Sequence, residues 1–226
     1  MSRIICLDIE TTGFAWDAGD KIIEIGAVEV LDGALTGNIF HEYINPERII
    51  PAESYNVHKI SNAFVADKPT FAAVGKRLLD FIGDAIVVAH NGKSFDFPFI
   101  NHQLAECGLP TIPTERQEDT MLMAQRKIAE LKSYSLDALA KYFNISLETR
   151  ADGHGALIDT QILAKIYLEL TQKEDALTVA QVAAAMHQAF LDAPKSDGTF
   201  PRRTFAPTPE EIAIHDEWTA ENIKRE

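Results

Sequence analysis

The sequence has few cysteines, no long apolar run and no surplus of positive charge. Cys6 and Cys107 are the only cysteines in 226 residues, which excludes a disulfide framework and a thiolate metal cluster. No run of about 18 apolar residues occurs, and the first residues lack a secretory-signal pattern, so we expect a cytoplasmic protein without a membrane partner. The formal net charge of −13 excludes a protein that holds nucleic acid through a broad basic surface.

The composition and the apolar pattern indicate one globular domain followed by a C-terminal tail. The hydrophobic fraction is 46%, and the pattern of apolar residues continues to about Thr171. Beyond that point an Ala-rich helical stretch is followed by a proline-rich segment, DAPKSDGTFPRRTFAPTP, and by a final helical pattern with little apolar content. We predict one domain over residues 1–171 and a helical and linker tail over residues 172–226.

Apolar periodicity predicts that the domain belongs to the α/β class. Alternating apolar residues predict a first strand over residues 4–10 and two further strands on either side of Asp32-Gly33, a strong hairpin signal. The run AIVVAH predicts a fourth, fully covered strand. Helical spacing predicts helices near residues 71–82, 97–108, 121–129, 135–142 and 155–170. The expected core is therefore a mixed sheet whose first three strands are antiparallel, with flanking helices.

Two acids interrupt the apolar pattern of the first strand, IICLDIETTG. A side-chain period of two places Asp8 and Glu10 on one face of that strand, about 7 Å apart. Two unpaired carboxylates in a core strand cost several kcal/mol or take up protons. We therefore expect a cationic group in front of them.

Three further candidate residues lie in two other segments. Asp96 stands between two phenylalanines at a strand-to-helix junction, His154 precedes the last predicted helix, and Asp159 shares that helix's apolar stripe. Taken singly, Asp96 could be a helix N-cap, His154 a surface or capping residue, and Asp159 a buried acid paired with a lysine or arginine. Together, four carboxylates and a histidine at one end of a sheet suit two divalent cations, Mg²⁺ or Mn²⁺, and a general base acting on a phosphodiester.

The segments LDIETTG, HNGKSFDFPFI and HGALIDT resemble, in order and spacing, the three motifs of the DEDDh family of 3′–5′ exonucleases. The resemblance covers about residues 3–171 and implies a ribonuclease H-like fold with a mixed five-stranded sheet. The family's catalytic set corresponds to His154 as the general base and to four metal-binding acids, Asp8, Glu10, Asp96 and Asp159.

The same resemblance implies a set of residues that contact the terminal nucleotide. They are Glu10, Thr11, Thr12, Gly13, Glu53, His58 and Asn91. Without the family, Glu53 and His58 in PAESYNVHKIS would be interpreted as ordinary loop residues. The chain has Asn91-Gly92 where the family usually has Asn-Ala, which predicts a looser turn at this position.

A narrower resemblance is to the epsilon family of proofreading subunits of bacterial DNA polymerase III. The segments SYSLDALAKYFNI, RADGHGALIDTQILAKIYLELT and PEEIAIHDEW carry it. It implies a DNA 3′ end as the substrate, release of nucleoside 5′-monophosphates, and the polymerase III alpha subunit as the partner of the tail. The sliding clamp and a small theta-like subunit are further implied partners, although the residues nearest to a clamp-binding peptide lack its spacing: Gln181, Met186, Gln188 and Phe190.

Two alternatives remain open at this point. One is a free-standing DEDDh exonuclease that acts on RNA or short oligonucleotides, which would need no tail of this length. The other is an interaction module that kept the fold and lost the chemistry. The complete set of four acids and one histidine argues against the second alternative, because the loss of any one of them would suffice for inactivity.

Overall fold

The computed structural model describes residues 2–147 and 155–171 of the chain. Within them, one five-stranded sheet has the order β3-β2-β1-β4-β5. β1 pairs with β2, and β2 with β3, in antiparallel register, whereas β4 is parallel to β1 and β5 is parallel to β4. The prediction of a mixed sheet with three antiparallel strands first is confirmed. The strands are β1 (Arg3–Thr11), β2 (Ile22–Leu31), β3 (Ala34–Tyr43), β4 (Ile86–Ala89) and β5 (Gln117–Asp119).

The hairpin between β2 and β3 turns at Asp32-Gly33, as predicted. Both residues have positive φ angles, 48° at Asp32 and 80° at Gly33, and the flanking residues Leu31 and Ala34 are paired. A two-residue loop with two left-handed residues matches the right-handed twist of the strands that it joins.

Seven α-helices flank the sheet in the described part of the chain. The five predicted helices are present within a few residues of their expected ends, whereas α1 and α2 were not predicted. Of the seven residues of α1 only His58 is buried, so this helix has no apolar stripe that a sequence pattern could reveal. The helices are α1 (Ala52–His58), α2 (Asn62–Val65), α3 (Phe71–Ile82), α4 (Asp96–Glu106), α5 (Thr120–Lys127), α6 (Leu136–Tyr142) and α7 (residues 156–171).

The two faces of β1 are covered by different helices. Ile5, Leu7 and Ile9 point into a core that is closed by α3 and α4. On the opposite face, Ile4 and Cys6 pack in a core to which α7 contributes Leu163, Ala164 and Tyr167. Helix α7 therefore lies over the face of β1 on which Asp8 and Glu10 follow Cys6.

No helix within residues 2–147 and 155–171 is long and apolar enough to cross a membrane. Residues 172–226, including the segment around Gln181 to Phe190, lie outside the described residues. The division into a domain over 1–171 and a tail therefore stays a prediction.

Candidate active site

Three of the predicted acids meet at one point between β1 and α7. Asp8 and Glu10 lie on the face of β1 that α7 covers, and Asp159 lies one turn ahead of Leu163 on α7. One carboxylate oxygen from each of Asp8, Glu10 and Asp159 lies within 4.8 Å of the other two. The structure thus brings together acids that are separated by about 150 residues of sequence.

A glycine in β2 determines how closely α7 approaches these acids. Gly26 is paired with Asp8, and a Cβ at Gly26 would lie 2.4 Å from the backbone of Ala156 and Leu157. The Thr160 hydroxyl oxygen lies 2.9 Å from the carbonyl oxygen of Gly26 and 2.7 Å from that of Ala156. This backbone-to-backbone contact fixes the first turn of α7, and with it the position of Asp159.

Asp96 is the first residue of α4 and does not cap that helix. The N-cap is Phe95, which offers no side-chain hydrogen bond, so the alternative interpretation of Asp96 as an N-cap is wrong. Its side chain is buried, and the Oδ1 atom has no hydrogen-bond partner among the described residues. Burying an oxygen without a hydrogen-bond partner costs about 1–3 kcal/mol, so we expect the Asp96 carboxylate to have a function that offsets this cost.

Burial and neighbouring negative charges raise the pKa values of Asp8 and Asp96. Burial is the main cause that raises the pKa of Asp8 well above its ordinary value, followed by the negative charges of Asp96, Glu10 and Asp159. Burial also raises the pKa of Asp96 to about 7, against the backbone N–H groups of Asp96 and Ile9, which lower it. Among the described residues, no lysine, arginine or histidine forms an ion pair with Asp8 or Asp96. Clustered oxygen ligands of this kind fit divalent cations such as Mg²⁺ or Mn²⁺.

Glu24 is a further acid of the site that the sequence analysis missed. It is paired with Glu10 across β1 and β2, is buried, and binds the Nε2 atom of His41 at 2.7 Å. Its negative charge also raises the pKa of Asp8. Its proximity to Glu10 follows from the register of the two strands, which the sequence pattern does not specify.

A pocket of about 570 Å³ opens beside the acids and contains most of the predicted substrate-binding residues. Its walls also carry Phe14, Val57 and Phe95, which give it the apolar sides that suit a nucleobase or sugar. Asn91 does not line this pocket. Instead it occupies a left-handed turn with φ of 58° after β4. The predicted residues that line the pocket are Glu10, Thr11, Thr12, Gly13, Glu53 and His58.

The end of β1 is closely packed against the loop that precedes β2. The Thr12 N–H donates to the carbonyl of Lys21 at 2.9 Å, and its hydroxyl donates to Asp20 at 3.0 Å. A Cβ at Gly13 would lie 2.2 Å from the Oδ2 atom of Asp20, so a larger residue here would displace the Asp20 side chain. Ser54 of α1 donates to the carbonyl of Thr12 at 2.8 Å and joins the two walls of the pocket.

His58 lines the pocket and has a buried hydrogen-bond donor without a partner among the described residues. Its Nδ1 accepts from the N–H of Ile60 at 3.0 Å, so the neutral ring carries its hydrogen on Nε2, which has no partner among the described residues. Burial is the main cause that lowers the pKa of His58, which keeps the ring neutral at pH 7. The interpretation of Glu53 and His58 as ordinary loop residues is wrong, because both lie in α1.

The turn at Asn91-Gly92 is tight, so the prediction of a looser turn is wrong. A Cβ at Gly92 would lie 2.3 Å from the Cβ of Ala89. The Asp119 carboxylate accepts the N–H groups of Asn91 and Lys93, each at 3.2 Å, and also caps α5. Asp119, which the sequence analysis did not single out, therefore holds the segment that leads to Asp96. His154, the predicted general base, lies outside the described residues.

Comparisons with known proteins agree with this geometry. A profile of the exonuclease family (RNase_T) matches residues 5–167. The DNA polymerase III subunit epsilon of Escherichia coli is 39% identical over 225 residues, which cover 96% of this chain and 91% of that protein. The subunit of the same name from Rickettsia conorii is 36% identical over 226 residues, covering 98% of this chain and 97% of that protein.

Solved structures support the same assignment. A structure of exonuclease X in complex with 5′ overhanging duplex DNA is 29% identical, with a TM-score of 0.58, and the match covers 75% of this chain and 92% of that one. E. coli exonuclease I with a dT13 oligonucleotide has a TM-score of 0.67 at 15% identity over 80% of this chain and 43% of that one, which shows the shared fold. By its sequence, its fold and its carboxylate cluster, this chain belongs to the exonuclease family.

Proposed function

We propose that the protein is a metal-dependent 3′–5′ exodeoxyribonuclease that removes mispaired 3′-terminal nucleotides as nucleoside 5′-monophosphates. The observation that carries this proposal is the cluster of Asp8, Glu10 and Asp159 within 4.8 Å, beside a pocket of about 570 Å³. The relatives named as DNA polymerase III subunit epsilon support a role in replication, in the cytoplasm.

The site has a metal-binding part, which the four predicted acids form, and a substrate-binding part. Asp8, Glu10, Asp96 and Asp159 would hold two divalent ions, Mg²⁺ or Mn²⁺. When bound, these ions would supply positive charge for the phosphate and lower the pKa of a water molecule. The unpartnered Oδ1 atom of Asp96 and the raised pKa of Asp8 support this assignment, because both groups gain from a cation.

The other residues of the site orient the substrate and move one proton. We assign the pocket beside Glu10 to the terminal nucleotide, where His58 offers its Nε2–H to an acceptor of the nucleotide. His154 accepts a proton from the attacking water. The water oxygen bonds to the terminal phosphorus, the bond from phosphorus to the 3′ oxygen of the preceding nucleotide breaks, and that oxygen takes up a proton from solvent and leaves as a 3′-hydroxyl.

We further propose that residues 172–226 attach the enzyme to the alpha subunit of DNA polymerase III. The likeness to epsilon subunits over 96–98% of this chain supports this role, since it includes the tail. The formal charge of −13 also suits an enzyme that obtains its affinity for DNA from a partner. Deleting residues 172–226 should abolish co-purification with the alpha subunit and leave nuclease activity in place. The sliding clamp and a theta-like subunit are further candidate partners for the same pull-down.

The test of the chemistry is a digestion of 3′-labelled mispaired primer-template DNA and of the corresponding RNA, with Mg²⁺ or with EDTA. Asp8→Ala and His154→Ala variants would be compared with Asp80→Ala, which removes an exposed carboxylate from α3. The proposal predicts release of single deoxynucleotides that requires metal, Asp8 and His154 but not Asp80. Digestion of RNA alone would favour the free-standing enzyme, and no digestion would favour an interaction module.

A further inference from the structure

Helix α1 forms one wall of the pocket that we assign to the terminal nucleotide, and the inner side of this helix is polar. Of the seven residues of α1, Ser54 and His58 alone are not exposed. Residues four positions apart lie on the same face of a helix, so these two side chains form the inner side. A surface helix usually packs through an apolar stripe. Two polar residues in its place indicate that hydrogen bonds hold α1.

The two ends of α1 are anchored at a common base. Ile50 before the helix and Ile60 after it pack with Ile23 of β2 in one small core, to which no residue of α1 belongs. The side chain of Asn62 accepts the N–H of Ile50 at 2.8 Å and donates to the carbonyl of Ile50 at 3.2 Å. The base of this segment is therefore fixed by apolar packing and hydrogen bonds, whereas the helix itself lies outside the core.

The hydroxyl of Ser54 joins the middle of α1 to the residue that follows β1. It donates to the carbonyl of Thr12 at 2.8 Å, between residues that are 42 positions apart. Thr12 is fully buried and is held by its own hydrogen bonds to Lys21 and Asp20, at 2.9 Å and 3.0 Å. Ser54 therefore binds α1 to a rigid part of the molecule.

This hydrogen bond connects two walls of the pocket. The end of β1 contributes Glu10 to one wall, and α1 contributes Glu53 and His58 to the other. Ser54 follows Glu53 directly and precedes His58 by about one helical turn. Its hydrogen bond to Thr12 therefore determines how far both side chains lie from the end of β1. Without this bond, α1 would be free to move about its base.

We propose that Ser54 is a positioning residue, whose hydroxyl fixes the distance between the two walls and thereby holds Glu53 and His58 at the terminal nucleotide. The proposal rests on the proposed exonuclease function and adds the residue that sets the width of the pocket. Ser54 acts through the walls that hold the nucleotide and not through the metal-binding acids. Its loss should therefore weaken binding of the ground state and of the transition state equally, which raises KM and leaves kcat unchanged.

The test compares three substitutions of serine in two measurements. Ser54→Ala removes the hydroxyl but keeps a good helix former, and Ser54→Thr keeps the hydroxyl. The matched control is Ser61→Ala, which removes a hydroxyl that accepts the N–H of Phe64 in α2 and does not line the pocket. Calorimetric titration with thymidine 5′-monophosphate and Mn²⁺ measures Kd for a single nucleotide. Steady-state hydrolysis of the p-nitrophenyl ester of the same nucleotide measures KM and kcat.

Ser54→Ala should raise both Kd and KM by about fivefold, the usual effect of one lost hydrogen bond, while kcat stays within about twofold of the wild type. Ser54→Thr should restore Kd and KM, and Ser61→Ala should change neither. An unchanged Kd in Ser54→Ala, a loss confined to kcat, or an equal rise of Kd in Ser61→Ala would overturn the proposal. Failure of the wild-type protein to hydrolyse the ester would contradict the exonuclease function, and the nucleotide titration would still decide the role of Ser54.

Discussion

The two faces of β1 differ over only half of the strand's length. The residues that stabilise the fold occupy one face and half of the other, and the acids of the site occupy the remaining half. One face is apolar throughout, with Ile5, Leu7 and Ile9 in a single core. The other begins in the same way with Ile4 and Cys6 but continues with Asp8 and Glu10 where α7 starts. Because the strand is anchored by one face and by half of the other, the remaining half can carry charges that the fold does not need.

The largest effect should come from neutralising the acidic half. Replacing Asp8 by Asn keeps the shape but removes a charge, so kcat should fall by at least about 10³-fold. The melting temperature of the metal-free variant should equal or exceed that of the wild type, because the crowded carboxylates repel one another. Scanning calorimetry in EDTA checks the second statement. A large loss of stability would mean that Asp8 serves the fold.

The opposite face should respond in the opposite way. Replacing Leu7, a fully buried residue, by Ala should lower the free energy of unfolding by about 2–5 kcal/mol. Below the melting transition, kcat should stay within about twofold of the wild type, because Leu7 points away from the acids. Urea denaturation and steady-state kinetics at low temperature measure the two quantities. A loss of kcat similar to that of Asp8→Asn would contradict the assignment of stability to one face of β1 and catalysis to the other.

Gly26→Ala should affect both properties, since Gly26 lies at the contact that links the sheet to α7. The added methyl would displace the start of α7, costing about 1–3 kcal/mol in stability. A shift of about 1 Å at Asp159 should lower kcat by roughly 100-fold. Gly33→Ala is the control. The alanine would strain a left-handed turn, but its Cβ would have no other atom within 4 Å. It should lower stability but not kcat, and a similar kcat loss in both variants would contradict this account of α7.

The pH dependence of stability should reveal the buried charges. The pKa of Asp96 is about 7 in the folded protein and about 4 in an unfolded chain, so the folded state holds its proton to higher pH. The contribution of Asp96 to the stability of the metal-free protein should therefore be fully present below about pH 4 and be lost as pH rises through 7.

Bound metal should reverse this loss. A metal concentration of 100 times Kd adds about 2.7 kcal/mol, or roughly 5–10 °C in melting temperature. Thermal melts at pH 5 and pH 8, with Mg²⁺ or EDTA, test both statements. A metal-induced shift that is larger at pH 5 than at pH 8 would contradict them.

Local sequence signals were sufficient for the parts of the fold that have a clear period. The Asp32-Gly33 hairpin, β1, β4 and the helices from α3 to α7 all follow from alternation, helical spacing or turn residues. β5 has only three residues, none of them apolar, and α1 buries one residue, so neither shows a pattern.

The acids of the site could be recognised in the sequence because they interrupt apolar runs. The residues that surround and position these acids could not be recognised. Glu24 joins the cluster through cross-strand register, and Gly26 through its contact with α7, which are long-range relations. Asp119 holds the turn before Asp96 by backbone hydrogen bonds that no local pattern encodes.

The central claim is that the acids on β1 and α7 bind divalent cations, and calorimetric titration of Mn²⁺ tests it most directly. The titration would be done at pH 8 with thymidine 5′-monophosphate present, on the wild-type protein and on Asp8→Asn. The account predicts saturable binding of two ions by the wild type and loss of that binding in the variant. No saturable binding, or binding that survives in Asp8→Asn, would contradict it.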